Sequence, residues 1–217
     1  MSAVLSPPFL FHFSVPLRYR AKIWSDKPLA FGEEYRLQSF GHLEGRRQFA
    51  DIRAAWNERG IAFSVNVTGK RQAAWCRESR AVESDGVQIW LDTRATNNVH
   101  RATKFCHRYV FLPTGGGHSL REPAADQLLI NRARENAKPI RPGELRIRSQ
   151  MKADGYFLEF CVPATALTGY DPSEYDRVGF YYAVMDRELG WQNFSVGNQF
   201  PFDEDPSTWG VCELVRD

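Results

Sequence analysis

In the run Ser84–Arg94, SDGVQIWLDTR, an amide, an indole and a carboxylate alternate with three aliphatic side chains. At a period of two, Gln88, Trp90 and Asp92 share one face of a strand, and Val87, Ile89 and Leu91 share the other. The aliphatic face reads as core. The polar face has the groups to grip a sugar or line a polar groove, or it is simply the outside of a strand. A second concentration is QFPFDEDPSTW, where Asp203, Glu204 and Asp205 supply the hard oxygen ligands that can hold calcium. Three acids beside Pro206 equally make an ordinary turn capped by Asp205 or Ser207. No other cofactor is implied by residue spacing.

Catalytic signatures are absent. There is no GxSxG, and PTGGGHS lacks the lysine of a phosphate loop. Asp85 and Asp92 stand seven residues apart on one strand, so they face opposite sides and are separated by about 23 Å. That exceeds the separation of a glycosidase carboxylate pair. Asp92, at the strand end beside Arg94, reads as a loop-fixing acceptor. The histidines His12, His42, His100, His107 and His118 show no HxH or HExxH spacing, and His107 reads as structural between Phe105 and Tyr109. The four cysteines have no CxxC pair, and three lie in apolar runs where a thiol packs as a small hydrophobe.

The elements that must position these groups are strands. GIAFSVNV, FCHRYVFLP, GYFLEFCVP and RVGFYYAVMD alternate at period two, with FADIRAAW, ELRIRSQM and WGVCELV as weaker runs. WNERG and KADG each close a hairpin, pairing 51–56 with 61–67 and 145–151 with 156–162. The best helix candidate, Ala124–Asn136, bunches Leu128, Leu129 and Ile130 instead of spacing them by 3.6. Many strands, little helix and no βαβ rhythm predict an all-β fold, an antiparallel, jelly-roll-like β-sandwich with long connecting loops. One domain over 1–217 is expected, with 113–143 a long loop insertion.

Composition narrows the partners. Hydrophobic residues make up 43% of the chain and aromatics 13%, enough for a substantial core. The net charge of +2 makes no electrostatic case for nucleic acid or an anionic membrane. No stretch approaches the roughly 20 apolar residues of a membrane span. The N-terminal residues lack a positive n-region and are interrupted by prolines, so they read as mature chain, and a cytoplasmic location is the expectation.

The order of segments resembles carbohydrate-binding module family 9 and its DOMON-like relatives. The family's D-x-V-E-x-x-x-D strand is matched by Asp85, Val87, Gln88 and Asp92, with Gln88 standing where the family has Glu. Its dGY-x-E-x-x-iP segment is matched by Asp154, Gly155, Tyr156, Glu159 and Pro163, followed by Leu167. RVGFYYAVMD, ending at Asp186, and WGVCEL, with Trp209, Gly210 and Leu214, complete the set. The resemblance covers about residues 50–215; residues 1–50 match poorly and read as an N-terminal extension in which FHFSVPLRY adds a strand.

The resemblance implies a non-catalytic module that binds a glycan or a reducing-end sugar between two tryptophan faces. By position these are Trp75 and Trp191, with Arg94, Gln192 and Asn198 as hydrogen-bonding partners. Two other readings stay open. One is a protein-interaction sandwich with no sugar ligand; the other is a divergent enzyme using Glu159, Asp186 and His107. The DOMON group also includes haem binders, for which Met151, Met185 and His107 are nominal ligands without supporting spacing.

Overall fold

A computed structural model describes residues 13–96 and 98–216; His12 and the start of the expected added strand lie outside these residues. Two hairpins set up the scaffold. β2 (Ala50–Asn57) and β3 (Gly60–Thr68) join through Glu58 and Arg59, with Asn57 opposite Gly60. The Asn57 side chain accepts from the Arg59 amide at 2.8 Å, which nucleates the turn. Gly60 takes φ +138°, and a Cβ there would meet the Val162 carbonyl oxygen at 2.2 Å. β7 (Arg146–Lys152) and β8 (Gly155–Pro163) form the second hairpin, and β8 also pairs along β3.

The remaining strands extend this sheet. They are β1 (Ser14–Tyr19), β4 (Gly86–Asp92), β5 (Cys106–Gly116), β6 (Glu122–Leu128), β9 (Arg177–Asp186), β10 (Gly190–Asn193) and β11 (Gly210–Val215). The order is β6-β5-β4-β9-β11-β1-β2-β3-β8-β7, with β10 alongside β9. The expected antiparallel pairing needs one correction. β1 runs parallel to both β11 and β2, so the sheet is mixed. Among the described residues no α-helix forms, only short 3₁₀ turns.

The sheet folds over so that its halves face each other as a β-sandwich, and the end strands β6 and β7 meet. Phenylalanine rings fill the interior: Phe111 stacks on Phe160 at 3.8 Å, Phe160 on Phe63 at 5.0 Å, and Phe63 on Phe180 at 5.9 Å. Ser149 on β7 donates to the Pro113 carbonyl on β5 at 2.6 Å, tying the two halves together. The 113–143 segment departs from a plain loop: β5 continues to Gly116 and β6 returns along it. Its Ala124–Asn136 portion is therefore strand and turn, because the open edge of β5 supplies hydrogen-bond partners that a poorly patterned helix lacks.

Replacing Gly60 by Ala adds a Cβ where backbone already stands and forces a left-side φ on an L side chain. It should lower unfolding free energy by about 1–3 kcal/mol, read from urea denaturation midpoints; an unchanged midpoint would show that the hairpin yields freely.

Candidate functional site

β4 is paired on both edges and all seven of its residues are buried. Its outer face continues across neighbours in register. Trp90 sits between Arg108 on β5 and Tyr181 on β9, and Gln88 between Val110 and Ala183. Met185, opposite Gly86, also pairs with Trp191 on β10, so Trp191 joins the same face at its far corner. The cover over this face is the chain after β10. Phe202 packs on Tyr181 at 4.5 Å and meets Trp90 edge-on at 5.5 Å. Trp209 pins that loop by donating from Nε1 to the Phe202 carbonyl at 2.7 Å.

The cover is incomplete. Between it and the sheet lies a cleft of about 210 Å³ lined by Gln88, Trp90, Arg108, Trp191, Asn198 and Asp203, with Val82 and two phenylalanines on its walls. Trp191 is 42% exposed, a large indole left in water at the cleft margin. The Arg108 guanidinium lies 5.0 Å over the Trp90 ring and donates twice to Gln88 Oε1, at 2.9 and 2.7 Å. Gln88 is held from the other end, its Nε2 lying 3.0 Å from Met185 Sδ. Burial pulls the Arg108 pKa below its ordinary value, with the charge of Asp203 opposing.

The expected site residues divide. Trp191 and Asn198 meet in this cleft, where Asp203 joins them. Trp75 stands beside the same end of β4, its amide donating to Asp85 Oδ2 at 3.0 Å. Its ring is covered by the guanidinium groups of Arg187, Arg80 and Arg77 at 4.5, 5.4 and 5.7 Å. Arg94 lies past the opposite end of β4, against Tyr175 at 3.9 Å and Phe105 at 4.6 Å, and donates to the Gly169 carbonyl. Gln192 points through the sheet from Trp191 and binds the backbone of Phe49 and Ala50. Asp205 accepts from Ser207 and contacts His100, capping its turn. Among the described residues no group of three or more His, Cys, Asp or Glu side chains converges as a metal site.

Arg108 is the cleft residue that reasoning from sequence passed over. Its signal was readable: a lone cation in the otherwise apolar FCHRYVFLP needs a partner or an opening to water.

The match to known proteins follows this geometry. Residues 23–217 fit the family model described as carbohydrate family 9 binding domain-like. The chain belongs to that family. A family 9 carbohydrate-binding module from Caldicellulosiruptor kristjanssonii in complex with cellotriose has the same fold, with a TM-score of 0.66 at 13% identity. That match covers 94% of this chain and 95% of the other. A family 9 module from the same organism in complex with glucose aligns with a TM-score of 0.64 at 14% identity, covering 94% and 97%. No curated protein matches in sequence.

The acid–base residues of this family 9 domain are dispersed. Glu159 bonds Arg148 and accepts from the Leu29 amide. Asp186 binds Lys70 at 2.5 Å, and Lys70 also reaches Asp85 at 3.1 Å, all three being buried. His107 contacts the Tyr109 hydroxyl at 3.2 Å, and that hydroxyl donates to the Ala166 carbonyl at 2.6 Å. Of the nominal haem ligands, Met151 is exposed on β7, Met185 lies beneath the cleft, and His107 is in the core.

Two tests concern these buried groups. Burial would lower the Lys70 pKa, but its bonds to Asp186 and Asp85 outweigh that and raise it above 10.5. The stabilisation is therefore complete below pH 10.5 and is lost as pH climbs through the raised folded value. Lys70→Met strands two carboxylates and should cost about 3–5 kcal/mol near neutrality, measured by chemical denaturation. For His107, burial depresses the pKa from 6.5 to about 4. The neutral form's contribution is full above pH 6.5 and falls away toward pH 4, by about 3 kcal/mol in total. A His107→Gln variant should lose that part of the acid slope; an identical slope would place the titration elsewhere.

Proposed function

We propose that this domain is a non-catalytic module that holds one or two sugar rings in the cleft beside β4. The observation that carries the reading is Trp191, an exposed indole at the edge of a cavity whose other walls are, apart from Val82, polar and aromatic. An indole face takes the C–H face of a pyranose, and burying that apolar surface contributes about 25 cal/mol per Å². Arg108, Asn198 and Asp203 supply donors and acceptors for ring hydroxyls, as a small polar set does in most ligand sites.

Family membership and the relatives solved with cellotriose and glucose support the choice of a sugar. Trp75 is the second wall in this reading, reached when the guanidinium groups over its ring move aside. Arg94 and Gln192 serve as structural residues, since each already satisfies its own neighbours. The dispersal of Glu159, Asp186 and His107 supports binding without turnover.

Titration calorimetry with glucose and cello-oligosaccharides tests this. Wild type should bind, and Trp191→Ala should weaken binding at least tenfold, about 1.4 kcal/mol. Equal affinity in the variant would remove Trp191 from the site, and hydrolysis products in the mixture would refute the non-catalytic assignment.

A further inference from the structure

The polar inventory of the cleft is unbalanced. Two of the Arg108 nitrogens, Nε and Nη2, share a single acceptor, Gln88 Oε1, whose own amide is held by Met185. Nη1 makes no hydrogen bond among the described residues and is open to solvent, and no carboxylate lies within 4 Å of the guanidinium among them. Trp90, 1% exposed, lines the same cleft, and its Nε1–H is buried without a partner. Asn198 is exposed and adds an amide. Against these donors stands one carboxylate, Asp203, exposed and outside ion-pair distance of Arg108.

Buried Lys70 and Glu159 have counter-ions in contact. Lys70 has two aspartates, and Glu159 has Arg148. A guanidinium remains charged even when burial lowers its pKa. Part-buried, with no carboxylate in ion-pair contact and only the charge of Asp203 nearby, it favours an anion in the cleft, and its planar fork matches a carboxylate or sulfate edge. The Arg108 and Trp191 backbones stand three strands and four residues apart, roughly 19 Å, with both side chains reaching into one cleft. A short saccharide with its ring on the indole and an acidic group at the other end meets both side chains inside that cleft.

We propose that the cleft selects an acidic saccharide, one whose carboxylate or sulfate oxygen atoms are received by Arg108 and the Trp90 indole N–H while a ring stacks on Trp191. This rests on the sugar-binding reading and narrows its ligand class.

The experiment compares cellobiose with its uronic acid and its sulfate ester by titration calorimetry at low salt and at high salt. At least one acidic form should bind tenfold or more tighter than cellobiose, and the advantage should shrink with salt. Whichever acidic arm binds tighter identifies the group as carboxylate or sulfate. Arg108→Gln should abolish the preference, while Arg108→Lys should keep part of it through charge without the fork. If Arg108→Gln does not fold, as judged by circular dichroism, the wild-type salt dependence and the Lys variant decide. Cellobiose binding as well as both acids would overturn the acidic preference and leave the sugar reading standing. Failure of all three to bind would overturn both. An acid preference that survives Arg108→Gln would overturn the assignment to Arg108.

Discussion

A strand buried on both faces needs a cover over its polar face as well as over its apolar one. β4 is in that position. Val87, Ile89 and Leu91 pack into the phenylalanine interior, which the facing half of the sheet closes. Gln88 and Trp90 need a second cover, and the chain after β10 provides it by returning over Tyr181 and seating Phe202 against both rings. The cleft is the part of that face the returning chain does not reach. Much of what is distinctive about the molecule follows from this: Gln88 locked between an arginine and a methionine, a buried indole without an acceptor, and Trp191 left at the margin.

Buried polarity marks the difference between structural and ligand-facing residues. Lys70, Asp85 and Asp186 close on each other and on backbone amides, with Asp85 Oδ1 accepting from Arg187 at 2.8 Å and Asp186 Oδ1 from Glu188 and Leu189. Such a saturated cluster fixes the chain at one end of β4. Asp92 does the same at the other end, accepting from Arg94 and Thr96. Between these two anchored ends lie the groups left incomplete. Satisfaction at the ends avoids the cost of burying a polar group without a partner, and the incomplete groups between them bear it.

Much of the framework could be read without coordinates. The β2–β3 and β7–β8 hairpins follow from Asn57–Gly60 and Lys152–Gly155, because a two-residue turn is local chemistry. The role of Asp92 was legible for the same reason. The parallel pairing of β1 was not, since its partner β11 lies at the other end of the chain and nothing in SVPLRY specifies direction. β6 was also obscure: EPAADQL has no alternation, and it is strand because the edge of β5 is available to it.

The sequence by itself determined most of the strands, where the tight turns fall and which family the chain resembles, because side-chain period and turn residues act over a few positions. Only the tertiary structure decided what lies together. Arg108 comes from β5, Trp191 from β10 and Asp203 from the returning loop, and strand order together with the path of that loop makes them neighbours. It also separated Trp191 from Gln192, adjacent in sequence, by directing one into the cleft and the other through the sheet to hold β2. Trp75 and Arg94, close to β4 in sequence, went to its opposite ends. Distance along a strand is fixed by the backbone, but the coverage of its faces depends on segments far away in the chain.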